Sequence, residues 1–231
     1  LLVKSEQDLL KLLDTLLREP QSFWDDFYQD KLKPIPFFIN KPDENLVDYI
    51  ETGKIQPKKV LELGCGAGRN AIYLAKQGFS VVGVDLSENA LHWANERAEE
   101  AKLEIDFIHS DIFELDLQEN NFDLIYDSGC FHHLAPHRRI TYLELIHKFL
   151  KTDGYFALCS FEVGGAYGGS DISDEEVYKK RTLDGGLGYT EQQLKEVFQS
   201  LNEIEIRKMI PMSDQDNYFG LDGFIVGLFK K

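Results

Sequence analysis

Short apolar runs recur along this chain, several ending at a glycine or a carboxylate before a stretch with helical spacing takes over. Lys59-Val60-Leu61-Glu62-Leu63 has strand length and β character. From Asn70 to Gln77 the apolar residues fall at helical spacing and stop at Gly78, a suitable C-terminal cap. Ser80–Asp85 reads as a buried strand ending in an acid, and Ser87 is placed to cap a helix from Glu88 to about Ala101. Glu104–His109 and Phe122–Asp127 are the third and fourth strands. Pro136 opens a helix bearing Ile140, Leu143, Ile146 and Leu150, which Asp153-Gly154 closes before a fifth strand, Tyr155–Phe161. Thr190 and Gln193 form a capping box for the last helix, and two late strands, about 203–210 and 223–229, bring the count to seven. Strands alternating with helices predict an α/β fold with a mostly parallel sheet.

The N-terminal region follows a different pattern. Ser5 is placed to cap a helix carrying Leu9, Leu10, Leu12, Leu13, Leu16 and Leu17, whose leucine face suits docking onto the core. Ser22–Tyr28 and Pro34–Phe38 combine prolines with clustered aromatics, which predicts a loop laid over something. A helix from about Glu44 to Glu51, with Leu46, Val47 and Ile50 on one face, leads into the core.

Candidate chemistry begins at Gly64-Cys65-Gly66-Ala67-Gly68, where glycines fall at positions one, three and five. A dinucleotide fingerprint needs one, three and six, and the sixth position here is Arg69. Glycine is required where a side chain would keep a ligand off the backbone, and the helix dipole points at the turn. That predicts a nucleoside-like cofactor without a pyrophosphate grip. Asp85, ending the next strand, is placed to accept hydrogen bonds from both hydroxyls of a ribose. In open α/β sheets ligands bind at the carboxyl ends of the strands, where four polar ends converge here.

On the Glu62–Gly68 loop, Asp85-Leu86-Ser87, Asp111-Ile112, Phe122–Leu134 and the Leu150–Gly154 turn, the chain resembles the class I S-adenosylmethionine-dependent methyltransferases over about residues 44–231. The resemblance implies a Rossmann-like three-layer sandwich, with a mostly parallel seven-stranded sheet, an antiparallel last strand and an N-terminal helical and aromatic cap. It implies S-adenosylmethionine as cofactor and S-adenosylhomocysteine as product. Gly64, Cys65, Gly66 and Gly68 would line the methionine part, Asp85 the ribose, and Asp111 the adenine amino group, with Leu86 and Ile112 flanking the ring. Backbone near Asp127 and Ser128 would receive the methionine ammonium. Glu62 would brace the loop or act through water on the ammonium. Residues 1–43 would form the cap and 44–231 the core, with 162–189 as a substrate lid. The aromatic segment is similar to the cap of small-molecule methyltransferases, including the thiol and thiopurine methyltransferase-like group. Trp24, Tyr28, Phe37 and Tyr167 are its candidate substrate and cap residues, although Phe23, Trp24, Phe27 and Tyr28 also read as an amphipathic stripe packed on the core.

Charge and composition narrow the acceptor. The 231 residues carry 25 basic against 40 acidic side chains, net −15, which leaves little material for a phosphate-binding face. The place after the fourth strand reads Asp127-Ser128-Gly129-Cys130, not the Asn-Pro-Pro-Tyr of many base-amine methylases. Nucleic acid is therefore disfavoured as substrate. No apolar run approaches the ~20 residues of a membrane span, and the charged N-terminal stretch does not fit a signal peptide. Three cysteines with no Cys-x-x-Cys pair suggest reduced thiols in the cytoplasm. Cys65 is expected to pack under the loop and not to act as a nucleophile. No metal is implied.

The sequence therefore predicts an enzyme that methylates a small molecule by in-line displacement, the acceptor being a thiol, an amine or a hydroxylated metabolite in that order. His132 and His133 are the paired titratable groups in range, as a base or as pocket wall. Two alternatives remain open: a non-catalytic cofactor-binding partner or sensor, and a nicotinamide oxidoreductase, which the glycine spacing opposes. The pattern leaves monomer and homodimer undecided.

Overall fold

The structure, a computed structural model, describes residues 2–231. The chain runs through α1 (Glu6–Asp14), α2 (Pro20–Gln29), α3 (Glu44–Glu51), β1 (Lys59–Leu63), α4 (Arg69–Lys76), β2 (Ser80–Asp85), α5 (Glu88–Glu100) and β3 (Asp106–His109). It continues with β4 (Phe122–Ser128), α6 (Arg138–Phe149), β5 (Leu150–Phe161), α7 (Asp174–Lys180), α8 (Glu191–Val197), β6 (Asn202–Lys208) and β7 (Phe224–Lys230). The seven strands form one sheet in the order β3-β2-β1-β4-β5-β7-β6. β1 pairs in parallel with both β2 and β4, and β7 runs antiparallel to β5 and β6. The strand order reverses direction at β1 and β4, so a crevice opens beyond their carboxyl ends.

Alternate strand residues serve opposite layers. Leu61, Leu63, Ile125, Phe156 and Leu158 pack with Tyr142, Ile146 and Phe149 of α6 and Leu194 of α8. Val60, Leu124, Tyr126 and Ala157 face the other way, onto Leu46 and Tyr49 of α3 and Ala71 and Leu74 of α4. The result is the helix–sheet–helix sandwich predicted above, including the antiparallel last strand.

Two local expectations are corrected. Residues 20–29 are helical, not a loop. Pro20 sits at the first helical position, where its missing N–H costs nothing, and the Glu19 carboxylate accepts from the N–H groups of Gln21 and Ser22. The helix before the fifth strand ends at Phe149, not at Asp153-Gly154. Leu150 already pairs with Phe122, and Asp153, at φ +63°, lies in an irregularity before pairing resumes at Leu124 and Tyr155.

Bonds made by Asp25, Lys31 and Phe38 hold α2 and the chain after it against α5, and Arg97 of α5 also reaches the glycine turn. Asp25 accepts from the Ser87 hydroxyl at 2.8 Å and its carbonyl from the Asn89 amide, Lys31 pairs with Glu96, and Arg97 donates to the carbonyls of Phe38 and Ala67. Further back, Asp14 at the end of α1 pairs with Arg138 and His137, and His137 also bonds the Tyr178 hydroxyl of α7. The 162–189 segment is ordered around α7, with Ser173 and Glu176 in a capping box.

Candidate active site

The turn after β1 is built for close approach. At Gly66, φ is +53° and an added Cβ would lie 2.5 Å from the Tyr28 hydroxyl; at Gly64 it would lie 2.8 Å from Cβ of Cys130. Larger residues are excluded at both positions by conformation and by space. The Gly66 N–H donates to Asp85 Oδ2 at 2.8 Å, and the Ser87 N–H to Asp85 Oδ1 at 2.9 Å. Each carboxylate oxygen keeps a lone pair for a further donor. Burial raises the Asp85 carboxyl above its usual range, against the backbone donors.

Beyond these strand ends lies a cavity of about 200 Å³. Glu62, Gly64, Cys65, Gly66, Asp85, Leu86, Asp111, Ile112 and Ser128 line one part of it. Trp24, Tyr28, Phe37, His132 and His133 line the remainder with Phe161, Phe219 and Phe224. Asp111 Oδ1 caps the short turn after it by accepting from the Phe113 N–H at 2.9 Å, and burial raises its pKa. Ser128 Oγ accepts from Arg69 at 3.0 Å.

Three expected site residues lie outside the cavity wall. Gly68 starts α4 against Ala94 and Phe107. The Asp127 carboxylate turns into the core, accepting from the Tyr142 hydroxyl at 2.5 Å and from the N–H groups of Cys130 and Phe131, with burial lifting it to about 6. It shapes the 129–133 turn that presents the histidines. Tyr167 is 53 % exposed, with its ring 6.5 Å from that of Phe224.

Several wall residues escaped the sequence reading. Phe219 and Phe224 flank the turn into the last strand, and no spacing rule connects them to β1. Arg69 registered only as a position where a glycine was missing. Its guanidinium is buried over the Phe219 ring and 2.7 Å from Asp43 Oδ1. Asp43 Oδ2 in turn accepts from Asn70 at 3.0 Å and from the Tyr126 hydroxyl at 2.8 Å.

A sulfonium nucleoside carrying an amino acid tail fits this donor and acceptor set. Glu62 Oε2 is buried with no hydrogen-bond partner among the described residues, an acceptor awaiting a donor. Asp85 and Asp111 add two further acceptors along the same crevice, and the glycine turn leaves room for a ligand on its backbone.

Comparison with known proteins gives the same class. A methyltransferase domain model matches residues 60–154. An uncharacterized methyltransferase of Schizosaccharomyces pombe is 31% identical over 115 residues, half of this chain and 79% of that one. A probable S-adenosyl-L-methionine-dependent methyltransferase, TehB of Haemophilus influenzae, is 35% identical over 109 residues, 47% of this chain and 38% of that one. Among solved structures, the Burkholderia thailandensis 1,6-didemethyltoxoflavin-N1-methyltransferase superposes with a TM-score of 0.68 at 22% identity, covering 100% of this chain and 92% of that one. With the fold, these relatives place the chain among the S-adenosylmethionine-dependent methyltransferases. The chain belongs to the class I methyltransferase family, and its cofactor is S-adenosylmethionine.

Proposed function

We propose that this enzyme transfers the methyl group to a small-molecule thiol, amine or hydroxyl by in-line displacement. The observation carrying this reading is the roof of the cavity. α2 and Phe37 lie across it, with Trp24 and Tyr28 facing in, so the acceptor space is bounded by this chain on every side named above. Such a space suits a metabolite better than a polymer. The cofactor supplies an electrophilic methyl group. The glycine turn, Cys65 and Ser128 hold its methionine part, Asp85 the ribose and Asp111 the adenine amino group, between Leu86 and Ile112. Residues 1–43 act as the cap and 162–189, with Gly186 close behind Phe161 and His133, as the substrate lid. Aromatic faces beside a sulfonium attract it and exclude water. Holding nucleophile and methyl in line is worth about 7–11 kcal/mol. The test is calorimetric binding of S-adenosylhomocysteine, followed by a methyl-transfer screen over thiols, amines and hydroxyl compounds. Binding without transfer to any small acceptor, together with transfer to protein or nucleic acid, overturns the reading.

Glu62 is assigned to the methionine ammonium, and this has a pH consequence. Burial first, opposed by Arg69 and reinforced by Asp43, raises its pKa from 4.5 to about 8. Its folded pKa lies above the unfolded one, so its contribution to stability is full below pH 4.5 and lost as pH rises through 8. The slope is at most about 1.4 kcal/mol per pH unit. At pH 7 the free protein therefore holds this carboxyl protonated, and an arriving ammonium ionises it. Binding of S-adenosylhomocysteine at pH 7 is expected to release close to one proton, read as a binding enthalpy that varies with the ionisation enthalpy of the buffer. Glu62→Gln should remove that dependence. A buffer-independent enthalpy in the wild type removes Glu62 from the ammonium site.

A further inference from the structure

The acceptor side of the cavity differs chemically from the cofactor side. Its wall runs from Trp24 to His133 (ring centroids 4.8 Å apart), to His132 (4.4 Å), and on to Phe161, which stacks on His132 at 3.8 Å. Phe224 extends the wall 5.1 Å beyond Phe161. The three lining carboxylates, Glu62 within β1, Asp85 at the end of β2 and Asp111 after β3, belong to the cofactor crevice. Arg69, the lining cation, has its charge matched by buried Asp43. Arg18, which acts on His133 and is held over the Phe23 ring, is a further cation on this side but does not line the cavity. A carboxylate, phosphate or ammonium of an acceptor lying against this wall would therefore be buried without a counter-ion in the lining, a cost of several kcal/mol.

The two histidines carry different hydrogen-bond roles. His132 Nδ1 accepts from the Phe161 N–H at 3.1 Å, which fixes the ring as the Nε2–H tautomer. Its Nε2, on the side of cavity-lining Gly129, is a donor and not a base. Burial and the neighbouring His133 keep it neutral. The His133 ring has no hydrogen-bond partner among the described residues and lies edge-on to Trp24. Burial, then Arg18, lowers its pKa to about 4, so it is neutral with one lone pair free.

Resting on the small-molecule reading above, we propose that the acceptor is an uncharged, conjugated molecule lying against this wall, with a lone pair bonded to His132 Nε2–H and its nucleophilic S–H, O–H or N–H directed at His133. As the new bond to the methyl carbon forms, the carbon–sulfur bond breaks and its electron pair passes to sulfur. The acceptor proton, acidified by the new bond, goes to the His133 lone pair and from the imidazolium to solvent after product leaves. His133 is then a catalytic residue, and His132 a donor that orients the acceptor.

The test uses the full chain saturated with S-adenosylhomocysteine and reads binding by calorimetry. Two uncharged probes, 8-hydroxyquinoline and 2-mercaptopyridine, are set against flat but charged 4-hydroxybenzoate and tyramine, and against phosphoethanolamine. The uncharged pair is expected to bind at least about tenfold more tightly. With S-adenosylmethionine, the bound uncharged probes should be methylated, and His133→Asn should lower kcat about a hundredfold or more with KM within about threefold. His132→Asn keeps an acceptor for the Phe161 N–H and loses the ring donor, so it should raise KM about tenfold. Both variants should bind S-adenosylhomocysteine as the wild type does, which separates these effects from misfolding. Charged probes binding as tightly, no probe binding, bound probes left unmethylated, or an unaffected kcat in His133→Asn each overturn the proposal. Failure to bind S-adenosylhomocysteine overturns the cofactor assignments beneath it instead.

Discussion

Asp85→Ala is expected to lower S-adenosylhomocysteine affinity by about a hundredfold or more while the protein stays folded. Hydrogen bonds to a charged acceptor are worth roughly 1.5–3 kcal/mol each, and two ribose hydroxyls would be lost together. The same carboxylate also accepts from Gly66 and Ser87, so its removal loosens both the glycine turn and the cap of α5. Asp85→Asn removes part of each contribution, because its amide nitrogen, a donor, meets the N–H of Gly66 or of Ser87. It keeps one acceptor oxygen and should cost about tenfold in affinity, if each lost charge-assisted bond contributes as above. Calorimetric titration of the three proteins, with melting curves alongside, measures this. Affinity within threefold of wild type in Asp85→Ala would remove the ribose role.

Arg69→Met is expected to be the most destabilising of these substitutions. Asp43 is fully buried, and Arg69 is its charge partner. Deleting one member of a buried ion pair typically costs about 3–5 kcal/mol, because the remaining charge is left uncompensated. For a chain of this size that corresponds to a fall in melting temperature of roughly 10 °C. Replacing both partners, Arg69→Met with Asp43→Asn, should recover most of the loss, since Asn70 and Tyr126 can still bond a neutral amide. Urea unfolding of the two variants decides it. A single variant as stable as wild type, or a double variant no better than the single, would show that the pair does not stabilise the fold.

The sheet was legible because each strand states its own period. Val60, Leu61 and Leu63 are sorted between two layers by alternation alone, and helix ends were marked by Ser87, Thr190 and Gly78. The helical nature of 20–29 was not legible, because Pro20 reads as a breaker until it is known to occupy the first turn. Its stripe of Phe23, Trp24, Phe27 and Tyr28 has helical spacing, and that signal lost to the surrounding prolines. The early start of β5 was hidden for a related reason: Lys151, Thr152 and Asp153 are polar, and the apolar pattern begins only at Tyr155. For the candidate site, spacing could mark the glycine turn and the strand-end acids but not which way a side chain turns. Asp127 ends a strand as Asp85 does, yet Tyr142 draws its carboxylate inward. Tyr167 stands outside the cavity while Phe224, more than fifty positions later, stands inside it. Contacts between elements so far apart in the chain leave no periodic trace.

The cavity walls are drawn unevenly from along the chain. The glycine turn, Asp85, Asp111 and the two histidines fall within the single stretch matched by the methyltransferase domain model, residues 60–154. Trp24, Phe37, Phe161, Phe219 and Phe224 come from before and after it. Trp24 and Phe37 belong to the N-terminal cap, Phe161 and Phe224 end and begin paired strands of the sheet, and Phe219 lies in the loop before β7, so none of these aromatic positions is part of the turn that grips the nucleoside. Substitutions on either side of that stretch can thus reshape what is accepted while the stretch itself keeps what is given.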